Sequence, residues 1–180
     1  MKNEKMTRVY FDLDNVLADF LQAVRVRGVL DSSEYFHRHR DTWSQDEVLL
    51  DNKITAIMDE PGFFKSIPMV AGAKKMWDLY RGSRGILTAY PRGAKDPERV
   101  TKEKFEWCRD RLGLYGDDTF ICCLRSEKNK YATNKGSTNI LVDDLEVNCN
   151  EWVEAGGEAV LFKGDIPRTV RIVDRLLDVI

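Results

Sequence analysis

Five short apolar runs punctuate the chain, at Arg8 to Leu13, Gly85 to Ala89, Thr119 to Leu124, Asn139 to Val142 and Ala159 to Phe162. Their length and their polar or turn-forming borders fit buried strands. Between them, apolar residues return at helical spacing. Ala73, Met76, Trp77 and Tyr80 stand at i, i+3, i+4 and i+7. Phe105, Cys108 and Leu112 form a second stripe, and Val170, Val173, Leu177 and Ile180 a third. A helix is also expected around Val147 to Val153. Strand followed by helix, repeated, predicts an α/β fold: a Rossmann-like parallel sheet of about five strands flanked by helices.

The alternation breaks between Val16 and Pro68. Leu17, Phe20, Leu21 and Val24 make a helical face that Gly28 can terminate, and a polar and aromatic stretch, SSEYFHRHRDTW, follows. Leu50, Ile54, Ile57 and Met58 form another stripe, stopped by Glu60-Pro61-Gly62. The pattern predicts a core domain of residues 1–15 and 69–180, with residues 16–68 inserted as a small helical cap over the carboxyl edge of the sheet, where open α/β sheets bind ligands.

The ends of the expected strands carry the chemistry. The first runs into VYFDLDNVLADF, placing Asp12 and Asp14 where the chain leaves the sheet. Such a pair also fits the metal motif of sugar-nucleotide transferases, or a solvated turn whose Asp caps the next helix. The second, ILTAYP, ends in Thr88, whose hydroxyl, with the Ala89 N–H, is suited to a phosphoryl oxygen; a Thr there is also an ordinary β-branched strand residue. After the third, LRSEKNKYA offers Lys128, with Lys130 as its rival, to offset the repulsion among carboxylates. The fourth, NILVDD, ends in Asp143 and Asp144, a costly adjacency unless a cation compensates it. Four stations at four strand ends make coincidence a poor explanation. Carboxylate oxygens without a nearby imidazole favour Mg²⁺ over zinc.

Composition narrows the partners. The 180 residues contain 28 Lys and Arg against 30 Asp and Glu, a net charge of −2, which disfavours a polyanion-binding surface and hence a nucleic-acid polymer as ligand. No run approaches the length of a membrane-spanning helix, and MKNEKMTRVYFDLD lacks the apolar region of a leader; a soluble, cytoplasmic protein without a membrane partner is expected. Cys108, Cys122, Cys123 and Cys149 show no CxxC spacing and read as reduced core thiols, while His37 and His39 leave few ligands for zinc. The helical stripes are also candidates for a homodimer interface.

The order Asp-x-Asp, Thr, Lys, Asp-Asp closely resembles the haloacid dehalogenase-like hydrolase superfamily, along the whole chain. Within it, DLDNVLADF, PGFFKSIPMVAGA (residues 61–73) and LVDD resemble the 5'(3')-deoxyribonucleotidase family. The resemblance implies Mg²⁺-dependent hydrolysis of a small phosphate monoester, a (deoxy)nucleoside monophosphate, through an aspartyl-phosphate. Asp12 would be the nucleophile and Asp14 the general acid and base. Asp12, the backbone carbonyl of Asp14 and Asp144 would hold the metal, with Asp143 beside them. Thr88, Ala89 and Lys128 would bind phosphate. The family commonly has Gly where this chain has Asn15, a residue that also tolerates positive φ. Phe20, Tyr35, Phe36, Trp43, Phe63 and Phe64 are candidates to stack a base, Phe20 first because it lies nearest the nucleophile loop. The rival readings are a phosphatase of sugar phosphates or another small metabolite, a DxD transferase, and a non-catalytic phosphate- or partner-binding protein on the same scaffold.

Overall fold

A computed structural model describes residues 6–29 and 44–180 of the chain. Its centre is a five-stranded parallel sheet in the order β3-β2-β1-β6-β7, made of β1 (Val9–Phe11), β2 (Arg84–Ala89), β3 (Thr119–Cys123), β6 (Ile140–Asp143) and β7 (Glu158–Leu161). Each of the five apolar runs forms a strand. A two-stranded antiparallel ribbon, β4 (Thr133–Asn134) with β5 (Ser137–Thr138), lies outside this sheet. Strands alternate their faces with period two. Val9 and Phe11 therefore enter one buried layer, and Tyr10 enters a second with Leu87, Leu141 and Trp152.

The chain order sets the location of the crevice. From β1 the path proceeds to β2 and β3 on one side, and β6 and β7 then fill the other. Such a reversal opens a gap at the carboxyl ends of the two strands that flank it, here β1 and β6. Phe11 is paired with both Ile86 and Val142, so Asp12 leaves the sheet level with the end of β6, while β2 continues to Ala89. The Asp12 N–H still donates to the Val142 carbonyl at 2.9 Å.

The segment between β1 and β2 contains α1 (Phe20–Arg25), α2 (Gln45–Met58), α3 (Phe63–Ser66) and α4 (Ala73–Leu79). Gly28 adopts a φ of 71° just after α1, consistent with its role as a stop. α2 begins with a reciprocal cap between Ser44 and Glu47 and buries Ile54 and Ile57. Leu17, expected on a helical face, instead lies in the tight turn before α1, although it is fully buried there. Tyr35, Phe36 and Trp43 lie outside the described residues.

The helices after β2 are α5 (Pro97–Trp107), α6 (Glu146–Glu154) and α7 (Ile166–Val179). Two expected stripes are corrected. α5 passes into a π-turn at Cys108–Leu112, which rotates the face presented beyond it. Its buried face runs through Val100, Glu103, Lys104 and Trp107, while Phe105 is 41% exposed and packs edge-on against Phe120 of β3. The α7 stripe likewise ends before Ile180, which is 48% exposed beyond the last turn that packs on the sheet. Among the described residues no helix is long and apolar enough to cross a membrane.

Glu103 explains how α5 can bury a charge. Its two carboxylate oxygens accept the backbone N–H groups of Gly62 (2.8 Å) and Phe64 (3.2 Å) at the start of α3, and Arg99 donates to it at 2.9 Å. Glu103→Ala should leave two backbone donors unsatisfied and remove the carboxylate partner of Arg99, which keeps its bonds to the Met58 and Glu60 carbonyls, at a cost on the order of 2–4 kcal/mol. Urea unfolding should show this as a lower midpoint at unchanged slope.

Candidate active site

A tight loop carries the first two carboxylates. After β1, the N–H groups of Val16, Leu17 and Ala18 all donate to the Leu13 carbonyl, at 3.4, 3.0 and 2.8 Å, and Asn15 N–H donates to Ala18 at 2.7 Å. The reversal needs a left-handed residue, which Asn15 supplies with a φ of 60°. Asp12 and Asp14 are held on either side of Leu13. At the end of the adjacent strand stand Asp143, fully buried, and Asp144; carboxylate oxygens of Asp12, Asp143 and Asp144 lie within 4.8 Å of one another.

Lys128 is brought into this group and Lys130 is not. The Lys128 Nζ lies 2.9 Å from Asp12 Oδ1 and 2.7 Å from Asp143 Oδ2, and the side chain is buried. Lys130 is exposed and pairs with Glu127 at 2.7 Å. Asp143 spends its oxygens on support: besides Lys128 it accepts Leu145 N–H and both bonds of the Asn148 amide. Asp144 is freer, its Oδ2 accepting only the Asn15 amide at 3.1 Å among the described residues.

A second buried lysine was not singled out in the sequence. Lys104, fully buried, places its Nζ 2.5 Å from Asp14 Oδ2, 3.1 Å from Thr88 Oγ1 and 2.7 Å from the Ala89 carbonyl, above the Phe64 ring at 4.9 Å. The available signal was its position between Val100 and Trp107, at i+4 and i−3 on a buried stripe, where a lysine needs an internal partner. Thr88 is itself fully buried. Because its hydroxyl accepts from Lys104, its own proton is left to donate elsewhere.

These charges act on one another strongly. Burial, reinforced by Asp12 and Asp143, pushes the Asp144 carboxyl up to about 8. Burial also raises Asp14, against the pull of Lys104 and with the help of Asp12. Asp143 is raised in the same way despite Lys128. For Lys128, burial alone would lower its value, but Asp12 and Asp143 prevail and hold it protonated. Asp12 Oδ1 and Asp14 Oδ1 are buried with no hydrogen-bond partner, so the 2.9 Å approach of Lys128 to Asp12 is an ion pair without directed hydrogen-bond geometry. Three carboxylates whose oxygens lie this close, in a net-acidic crowd, fit a small divalent cation.

The same arrangement of strands and connections occurs in solved structures of hydrolases. The chain is similar to the HAD-hydrolase YfnB from Bacillus subtilis, solved bound to magnesium, with a TM-score of 0.52 and 12% identity over 88% of this chain and 87% of that one. It is similar to the haloacid dehalogenase-like hydrolase SP0104 from Streptococcus pneumoniae (TM-score 0.54, 11% identity, 88% and 85% covered) and to a HAD-superfamily hydrolase from Ehrlichia chaffeensis (0.51, 15%, 96% and 98%). The fold is that of the haloacid dehalogenase-like hydrolases. No family model matches the sequence, and no curated protein does.

In this HAD fold the acidic group opens into a cavity of about 610 Å³. Asp12, Asp14, Asp144, Ala89 and Lys128 form its floor, and Phe20, Met58, Tyr90, Arg92 and Arg125 are among its walls. Phe20 reaches the wall while packing edge-on against Phe63 at 5.8 Å. Phe63 and Phe64, candidates for stacking a base, are instead core residues, 1% and 2% exposed, because α3 turns them inward beneath the site. Cys108, Cys123 and Cys149 are buried, Cys122 is half-buried, and all four are free thiols. Burial pushes Cys123 up to about 11 and Cys149 to about 12, which leaves both weak nucleophiles.

The raised carboxyl values have a consequence for stability. An unfolded Asp loses its proton near pH ~4, whereas Asp144 in the metal-free fold keeps it to about 8. The folded state thus binds the extra proton, and stability should fall as pH rises from about 5 to 8, with Asp14 and Asp143 contributing in the same sense. Thermal unfolding in a chelator should show this decline, Asp144→Asn should flatten it, and Mg²⁺ should restore stability to the unsubstituted chain at pH 8.

Proposed function

We propose that the protein is a Mg²⁺-dependent phosphatase that hydrolyses (deoxy)nucleoside monophosphates through an aspartyl-phosphate on Asp12. The observation that carries this reading is the placing of Asp12 beside Lys128 and Asp144 at the mouth of the β1–β6 crevice, with no directed hydrogen bond on Oδ1. A phosphate dianion is repelled by carboxylates, so attack needs compensating charge and an aligned approach. Lys128 supplies part of it. Mg²⁺, held by Asp12, Asp144 and the Asp14 carbonyl, would neutralise charge on the phosphoryl oxygens. The Thr88 hydroxyl and the Ala89 N–H would bind those oxygens, and the bond from Lys104 would orient Thr88.

The chemistry then divides between the first two carboxylates. An Asp12 oxygen bonds to phosphorus as the bond to the leaving oxygen breaks, and Asp14 gives that oxygen its proton. Burial favours the protonated Asp14 this step requires. Asp14 then takes a proton from water, which attacks phosphorus, releases phosphate and regenerates Asp12. Of the proposed cap, residues 16–68, Phe20 and Met58 line the cavity, and Phe20 and Tyr90 would meet a base. The volume of about 610 Å³ suits a nucleoside monophosphate. The core placement of Phe63 and Phe64 favours a second reading, a phosphatase of sugar phosphates or another small phosphometabolite.

Asp12→Asn should reduce phosphate release by at least ~10³-fold, with an unaltered circular dichroism spectrum; undiminished turnover would remove Asp12 as nucleophile. A panel of deoxy- and ribonucleoside monophosphates set against sugar phosphates should show higher kcat/KM for nucleotides, and equal values would leave the phosphatase without the nucleotide preference.

A further inference from the structure

Asn15 occupies a backbone position where glycine would be less strained. It is one of two non-glycine residues with positive φ among the described residues, the other being Lys135 in the exposed β4–β5 turn. The Asn15 side chain must therefore contribute something that a hydrogen atom cannot. Its Oδ1 accepts the backbone N–H of Leu21 in the first turn of α1 at 3.0 Å, and its Nδ2 donates to Asp144 Oδ2 at 3.1 Å. The first bond settles the second: with Leu21 requiring an acceptor, the amide nitrogen is the end that faces Asp144.

We infer that Asn15 is a positioning residue for the cation site, holding Asp144 through a neutral donor while its other end anchors the helix that carries Phe20. The inference rests on the proposed metal-assisted reading of the site. Neutrality matters here. A lysine or arginine at this place would pair with Asp144 and compete with the cation, and a second carboxylate would add to the repulsion among Asp12, Asp143 and Asp144. An amide satisfies one oxygen of Asp144, fixes its rotamer and leaves the other oxygen for a ligand. The hydrogen bond spans 129 residues of sequence and ties the β1 loop to the end of β6.

Asn15→Gly tests this with little risk to the backbone, since glycine accepts the φ without strain. Mg²⁺ affinity of the full chain, measured by calorimetry without substrate, should fall about tenfold or more, the usual effect of losing a partner of a metal ligand. The affinity for inorganic phosphate at saturating Mg²⁺ should change less than about twofold, because the lysines and Thr88 hold it. Unchanged Mg²⁺ affinity in Asn15→Gly would overturn the inference alone. Parallel loss of both affinities would also overturn it, showing a loop that has merely loosened. Failure of the unsubstituted chain to bind Mg²⁺ would overturn the metal-assisted reading and the inference with it.

Discussion

Repulsion among carboxylates is the constraint that organises this molecule. Asp12 and Asp14 follow β1, Asp143 and Asp144 close β6, and the pairing of Phe11 with Val142 makes the two groups neighbours. No rearrangement of side chains can separate them without breaking the central strand pair. Two lysines enter from elsewhere to meet the charge, Lys128 from the 3-10 segment after β3 and Lys104 from α5. Each is buried, so each would be costly without its carboxylate partner. The outer elements are thus held to the sheet by charge as well as by apolar contact.

The two lysines divide the site. Lys128 lies between Asp12 and Asp143, on the side of the proposed nucleophile and cation. Lys104 lies between Asp14, Thr88 and the Ala89 carbonyl, on the side of the proposed proton transfer. Asn15 stands between the loop and Asp144 without adding charge to either. The balance near neutrality across the whole chain therefore hides a local arrangement of opposite charges.

Much of this was legible in the sequence because apolar strands that stop at a functional edge leave a clear signature. VYFDLD, ILTA and ILVDD each show two or three residues of core followed at once by a carboxylate or hydroxyl, and each of those residues lies at or near the carboxyl end of its strand. Lys104 left a weaker trace, since its partners lie 90, 16 and 15 residues away and only the three-dimensional fold unites them. Phe63 and Phe64 could not be sorted from Phe20 by pattern. All three are aromatic and near the insertion, and whether a ring faces core or cavity depends on how α3 packs on α5. The stripe through Phe105 holds at Cys108 and Leu112 but not at Phe105, because the buried face of α5 runs one position earlier, through Val100, Glu103, Lys104 and Trp107.

Glu103 and Lys104 are consecutive, yet one is bound to the backbone at the start of α3 and the other to the general-acid candidate and the threonine beside it. A single turn of α5 thereby clamps the returning end of the insertion to the chemical centre. The start of α3 and the Asp14 carboxyl are therefore set by one turn of helix, so a displacement of α5 would move both together rather than either alone.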